Sequence, residues 1–515
     1  MSDVTTELPL GPLERRLRAL LPADLYATAW LDQSPENLER VFEHLRTLLR
    51  ILYDYMPPQL GASAPAPGMV HHAPEEGALM FTDLSGFTPL MEANAERGTE
   101  GARVLLGILN GYFAKMLEIV GKSGGELLEF TGDALLVEFP KNARNDQIAQ
   151  AVRAGLRMQR AMQEFDNIEA ETGTFSLGQR VGIHAGDFLT ADIGTPTRME
   201  HVLLGSNVQT AKRAEGSGAR GRVCLTSKAH EIVQDKFRFE PGEPGHMLVV
   251  DDLSDEELGT FDIGISRRRM GGNILLDRSL EGLLSEIESM INRVEPLAAF
   301  IPNSILRVLI ENAARREIPP DFPNPTILFV NLLGLPEAIE HAKAEEIPSI
   351  ISTFSKVFAR INAAVEAKGG VLKKVTYHLA GSDMLIMFGV PTAYSNDPIR
   401  AAETALEIRR IVLGTEPPEL EGTVINIGCQ LGMAFGPVFS AEIGEPRGRR
   451  EFNVLGDTVN TAARLMGKAI GNRILMTDQL HEQIEDKMNC ESLGSMPLKG
   501  KAGRLKIYSL EGPLA

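Results

Sequence analysis

Glu200 to Glu231 reads EHVLLGSNVQTAKRAEGSGARGRVCLTSKAHE, and Glu451 to Glu482 reads EFNVLGDTVNTAARLMGKAIGNRILMTDQLHE. The second stretch follows the first at a constant spacing of 251 positions, so the chain carries two versions of one domain. Working outward, ALMFTDLSGF (Ala78 to Phe87) matches TILFVNLLGL (Thr326 to Leu335), Gly124-Gly125 matches Gly369-Gly370, and VGIHAGDF (Val181 to Phe188) echoes LGMAFGPV (Leu431 to Val438). The copies span about 75–245 and 323–513. Residues 1–74 form a helical segment that ends in a Pro-rich linker, and 246–322 form a helical linker. Leu20 to Trp30 (LLPADLYATAW) also echoes Phe300 to Ile310 (FIPNSILRVLI), which extends the repeat to a leading helix.

Each copy alternates strands and helices. MLEIVGKSGGELLEFTGDALLVEF ends a helix, turns at Gly124-Gly125, and makes two apolar runs hinged at Thr131-Gly132, the pattern of a hairpin. Asp146 to Phe165 carries apolar residues at helical spacing, and QRVGIHAGDFLTADIG reads as a second hairpin. The class is α/β or α+β with an antiparallel-rich sheet. Pro, Gly and Ala clusters before each copy, YDYMPPQLGASAPAPG and RREIPPDFPNPT, read as linkers.

The 515 residues carry 52 Lys plus Arg against 69 Asp plus Glu, a net charge of −17. That sign opposes a protein that coats itself in nucleic acid or anionic lipid. Cys224, Cys429 and Cys490 are far apart and lack metal-ligand spacing, which predicts a reducing compartment. The opening residues lack the apolar run of a signal peptide and no window holds eighteen consecutive apolar residues, so the expectation is a cytoplasmic protein without a membrane span.

Asp83 in FTDLSGFT and Asp133 in EFTGDALL each end or turn an apolar strand. A carboxylate there is costly unless paired, and two on neighbouring strand ends make a hard-oxygen site for Mg²⁺ or Mn²⁺. Ser85 and Gly86 follow Asp83 where a helix begins, so the backbone N–H groups there can hold a polyphosphate. Taken singly, either aspartate reads as a turn or helix cap.

FTDLSGFT, EFTGDALL, EFNVLGDTVNTAARL and PLKGKAG (Pro497 to Gly503) together resemble class III nucleotidyl cyclases, and the unequal tandem copies are most similar to soluble-type, bicarbonate-responsive adenylyl cyclases. The resemblance implies two ferredoxin-like cyclase domains packed head to tail as a pseudo-symmetric intramolecular heterodimer. It implies conversion of ATP to 3′,5′-cyclic AMP and pyrophosphate with two Mg²⁺ or Mn²⁺ ions. Asp83, Asp133 and the Leu84 carbonyl would bind metal, and Ser85, Gly86, Phe87 and Thr88 would line the phosphates. On the opposite wall Asn460 would orient the ribose and Arg464 would stabilise the transferring phosphoryl group; their four-residue spacing puts both on one helix face. Lys499, or Lys501 beside it, would grip the terminal phosphates. Lys374, or its neighbour Lys373, and Asn453 would read the base: a lysine only donates, which suits adenine N1, and the Asn oxygen can accept from the adenine amino group.

The second interface is expected to be degenerate. Asn331 and Ser382 stand at the metal positions, Glu129 and Val202 at the base positions, and Gln209 at the ribose position, although Arg213 remains. Soluble-type relatives bind bicarbonate at this interface through a Lys and an Arg, and here those positions read Glu129 and Lys212. The acid repels an anion, while Lys212 or Arg213 offers positive charge; a Glu129–Lys212 salt bridge is the alternative. A small-anion or protein regulator and a homodimer stay open, and a monomer suffices for the site. His184 and His378 read as structural. The rival functions are a guanylate cyclase and a catalytically silent nucleotide-binding module.

Overall fold

The computed structural model describes residues 10–144, 146–170, 173–259, 275, 277–377, 381–420, 424–446, 448–498 and 503–514. Each copy is built on one mixed sheet with the same strand order. In the first, the leading strand His71–Ser85 lies between Ala134–Pro140 and Gly178–Thr195, with Glu126–Thr131 outside the former and Val223–Thr226 outside the latter. In the second, Thr326–Leu333 lies between Ser382–Phe388 and Gly428–Phe435 in the equivalent order. Neighbours are antiparallel except for one parallel pair per sheet, Gly178–Thr195 with Val223–Thr226 and Gly428–Phe435 with Ile474–Thr477. The Thr131-Gly132 hinge is a hairpin turn as expected, and Gly132 takes the left-handed φ of 69° that the turn needs.

QRVGIHAGDFLTADIG is not a hairpin. Gly178–Thr195 is one continuous strand whose Gly186 and Asp187 stay in register with Gly77 and Glu76, and its hairpin partner is the next strand, Arg198–Leu204. The second copy breaks at the corresponding place, because Pro437 has no N–H to give the ladder; Phe439–Gly444 and Arg450–Leu455 form a separate two-stranded ribbon.

These two hairpins join the copies. Phe439, Ala441, Ile443 and Leu455 of the second copy are buried in the core of the first, and Gly444 N–H donates to Asn110 Oδ1 at 3.0 Å. Reciprocally, Leu189, Ala191, Ile193, Val202 and Leu204 of the first copy are buried in the core of the second, and Gly194 N–H donates to Ser355 Oγ at 2.9 Å. The receiving helices, Gly98–Lys122 and Ile347–Ala367, are equivalent in the two sheets. The former is long and apolar enough to cross a membrane, with a mean hydropathy of 1.4. Here its Leu105, Leu109, Phe113 and Met116 are fully buried in the first copy's core.

The N-terminal helix Pro35–Tyr55 packs on the linker helix Leu280–Ala298, and together they cover the face of the second sheet that carries Ile327, Leu385 and Met387. The Pro-rich segment after Pro35–Tyr55 is docked: Tyr55, Met56 and Leu60 are buried, and Tyr55 donates to Glu442 at 2.8 Å. The linker before the second copy pairs Asp321 with Ser440. Pro22 and Pro302 each sit at the N-cap of a nine-residue helix, Ala23–Leu31 and Asn303–Glu311.

Candidate active site

Asp83 sits near the end of the leading strand and Asp133 in the hairpin turn beside it, both half-buried. Leu84 is buried in the first core. Burial and the nearby Asp83 push the Asp133 carboxyl up to about 7, partly offset by Lys212. A hard-oxygen carboxylate raised by burial and by a neighbouring carboxylate belongs to a donor set that a divalent cation would relieve. The residues present therefore fit a divalent ion.

Behind the pair, Gly86 adopts φ 89° and its Cα faces Ser176 O, where a Cβ would come within 2.4 Å; only glycine makes this turn. The helix Phe87–Ala95 starts there without a side-chain cap, so no cap side chain takes up its first N–H groups. Ser85 Oγ donates to Gly178 O at 3.1 Å and the Phe87 ring is buried in the core, so of Ser85 to Thr88 the backbone and Thr88 are what this turn can offer a ligand.

The opposite wall comes from the second copy. Asn453 Nδ2 donates to Gly132 O at 3.2 Å, one residue from Asp133, and Leu455 lies against Gly132. The chain then turns through Gly456, whose Cα abuts Met91 of the Phe87–Ala95 helix, into the helix Asp457–Met466. That helix, which bears Asn460 and Arg464, thus begins beside the carboxylate turn. Asn460 is exposed; Arg464 is half-buried, and its Nη1 is buried with no hydrogen-bond partner. Arg213, its counterpart, is exposed. Lys499, Lys501 and His378 lie outside the described residues.

The base-reading pair is present but engaged. Lys374 is buried; its ammonium donates to Phe130 O and lies 3.1 Å from Glu129 and 3.2 Å from Glu451. Burial pulls its pKa down, and Glu451 and Glu129 outweigh burial and hold it above the ordinary lysine range. Glu451 resists its own burial because Lys373, Lys374 and Arg449 surround it, which holds it at about 2. Asn453 is occupied too, its Oδ1 accepting the Val454 N–H at 3.1 Å. Glu129 and Lys374 are register twins, each following a strand irregularity and each opposite equivalent residues, Leu136 and Leu385.

Two expectations are corrected here. The salt bridge of Glu129 is to Lys374, not Lys212. Lys212 instead lies over the Phe81 ring at 4.9 Å and 3.2 Å from Glu215, close enough to stabilise the Asp133 carboxylate, because its helix Ser206–Gly216 lies on the sheet face that carries Phe81 and Asp83. Lys212 thus lies on the carboxylate side.

At the second copy's equivalent turn Asn331 and Ser382 are both buried, and Asn331 donates to Gln430 at 2.9 Å. Asp383 next door is driven well above the ordinary carboxylate range by burial. The helix start is filled from within: Glu337 accepts the Gly334 N–H at 2.7 Å, Pro336 lacks an N–H, and the helix Leu335–Ala338 is four residues long. Val202 is buried and Gln209 half-buried. A cavity of about 100 Å³ lies among Glu129, Glu200, Lys374, Arg449, Glu451 and Tyr55, below the roughly 300 Å³ that a small-molecule pocket needs. His184 is buried between Thr226 and Asn207, each at 2.8 Å, consistent with a structural role.

Sequence reasoning missed Arg180 and Glu215. Arg180 contacts Asp83 and lies 2.9 Å from Glu215. The signal was available, since extending the repeat alignment one residue to the left of Val181 and Leu431 sets Arg180 against Gln430.

A family model for the adenylate and guanylate cyclase catalytic domain matches residues 69–254 and 319–512. Adenylate cyclase type 10 of Oryctolagus cuniculus is 26% identical over 401 residues, covering 76% of this chain and 24% of that protein. The Mus musculus protein of the same name is 27% identical over 404 residues, again 76% of this chain and 24% of its own length. The chain thus spans about a quarter of the length of these two relatives. A class III adenylyl cyclase-like ATP-binding protein from Pseudomonas aeruginosa, known from its crystal structure, superposes with a TM-score of 0.54 over 86% of this chain and 93% of that one, at 14% identity; the likeness is one of fold.

Proposed function

The chain belongs to the adenylate and guanylate cyclase catalytic domain family, and from that premise we propose that it converts ATP to 3′,5′-cyclic AMP and pyrophosphate at a single site between its two copies. The observation that carries this reading is the unpartnered, buried Nη1 of Arg464 in the helix that starts beside Asp83 and Asp133. A buried guanidinium nitrogen without an acceptor is costly, and a phosphoryl oxygen would satisfy it.

In this reading Asp83, Asp133 and the Leu84 carbonyl would hold two divalent ions. When bound, these supply acidity at the ribose 3′-hydroxyl and neutralise the triphosphate. The 3′-oxygen bonds to the α-phosphorus, the bond from that phosphorus to the β-phosphate oxygen breaks, and the hydroxyl proton leaves to solvent. Asn460 orients the ribose, and Arg464 donates to the α-phosphoryl oxygen as charge builds there. The uncapped start of Phe87–Ala95 receives the phosphates by its backbone N–H groups, with Lys499 on the terminal ones. Lys374 and Asn453 read adenine by exchanging their present partners, Glu129 and the Gly132 carbonyl, for the base. The interface built on Asn331, Ser382, Glu129, Val202 and Gln209 is degenerate: both carboxylates are replaced, and the helix start at Gly334 is capped by Glu337. The protein acts in the cytoplasm, and one chain supplies both walls.

Turnover of ATP and of GTP with Mn²⁺ tests the proposal. Cyclic AMP formed faster than cyclic GMP supports it, and the reverse preference marks a guanylate cyclase. Folded protein that binds ATP and yields neither product is a silent nucleotide-binding module.

A further inference from the structure

A chain of charges links Asp83 to the helix Ser206–Gly216. Asp83 stands directly across the ladder from Arg180, which contacts Asp83 Oδ2 and lies 2.9 Å from Glu215 Oε1. The other oxygen of Glu215 is 3.2 Å from Lys212. Glu215 is 1% exposed, on a helix laid so closely over Gly182 that a Cβ there would come 2.0 Å from the Glu215 nitrogen. A carboxylate buried this deeply is expensive even when paired.

The second copy supplies a natural control. Across its ladder Asn331 faces Gln430, and Met466 stands where Glu215 does, on a helix laid just as closely over Gly432. Backbone and helix contact are the same in both copies, so the shape of the domain does not require the charges. Asp83, Arg180 and Glu215 are all neutral in the twin, and only the first copy keeps a carboxylate pair at the strand end.

We propose that Glu215 and Arg180 are positioning residues for Asp83. Glu215 holds the guanidinium so that it engages one oxygen of Asp83 and leaves the other for a cation. Released from Glu215, the planar guanidinium can close on both oxygens in the bidentate geometry it favours and compete with the ion. This inference rests on the reading of Asp83 as a ligand of a divalent cation.

The test is equilibrium binding of Mn²⁺ alone, followed by the electron paramagnetic resonance of the free ion, with thermal unfolding recorded on the same samples. Glu215→Gln should weaken Mn²⁺ about tenfold, the scale set by loss of an outer-sphere partner. In an Arg180→Gln background the same change should have no further effect, because Glu215 acts through Arg180. A mere loss of negative charge would weaken binding equally in both backgrounds, and that result, or unchanged affinity in Glu215→Gln, overturns the inference. Should Glu215→Gln fail to fold, Arg180→Lys carries the test: an ammonium cannot hold both carboxylates as a guanidinium does, so a tenfold loss supports the inference and unchanged affinity overturns it. Asp83→Asn separates the two readings. Binding that depends on Asp83 but not on Glu215 defeats the positioning role alone, and wild-type protein that binds no Mn²⁺ defeats both.

Discussion

The turn at Asp83 and its twin at Asn331 share a backbone and have lost common chemistry. Both pass through a left-handed glycine, Gly86 at φ 89° and Gly334 at φ 94°, each pressed against a neighbouring carbonyl. Beyond that glycine they part. The first copy opens a nine-residue helix with no side-chain cap, beside a carboxyl raised to about 7; the second opens a four-residue helix capped by its own Glu337, beside Asp383, whose carboxyl burial pushes well above the ordinary range. The second turn fills its helix-start donor from within, and its domain still supports the other copy, whose core takes in Phe439 and Ile443.

The largest expected effect that could break this contrast lies on the helix facing the turn. Arg464→Ala should reduce cyclase turnover by about 10³-fold or more, while Arg213→Ala stays within about twofold. Equal losses in steady-state assays of the two variants would mean that both interfaces work. Next, Asp133→Asn should lower turnover by roughly 10²- to 10³-fold, the equivalent of several kcal/mol of lost charge stabilisation, whereas Ser382→Asp should add nothing, since Gln209 and Val202 leave its opposite wall incomplete.

A smaller and graded effect follows from pH. With Asp133 raised to about 7, the carboxylate proposed to accept a cation is half-formed at neutrality. Mn²⁺ affinity should therefore tighten from pH 6 to pH 8 and then level off, and Asp133→Asn should flatten the profile. Stability of the metal-free protein runs the other way. Between the ordinary aspartate value near about 4 and 7, the folded chain keeps a proton that the unfolded chain has lost, so this group favours folding most below about 4 and the benefit is gone above 7. Denaturant titrations of wild type and Asp133→Asn across that window measure it. The smallest effect sharpens the comparison from the other side: Glu337→Gln should cost about 1 kcal/mol of stability or less through the weakened cap and leave turnover unchanged.

Much of this was legible in the residues, and the reasons it stopped are physical. The repeat, the paired aspartates and the Asn460/Arg464 spacing are local patterns that survive in one dimension. The continuous Gly178–Thr195 strand was not legible, because Gly-Asp in VGIHAGDF has turn composition while the neighbouring strand holds it extended; only Pro437 in the twin forces a break. The partners of Glu129 were misassigned for a related reason. Sequence comparison set Glu129 and Lys374 in equivalent positions, and two equivalent positions near a pseudo-twofold axis come face to face, which makes an opposite-charge pair across it. Buried Glu215 was invisible because it lies past the motif that drew attention to its helix, and its meaning appears only beside Arg180.

The exchanged hairpins carry one last implication. Since Phe439 and Ile443 finish one core and Leu189 and Ile193 finish the other, each half is an incomplete solute by itself, with an apolar ribbon and an apolar socket open to water. Synthesised apart, the halves should be sticky orphans that either find each other or precipitate. Tethering them in one polypeptide supplies the mate at millimolar local strength, so assembly is unimolecular and insensitive to how dilute the protein becomes.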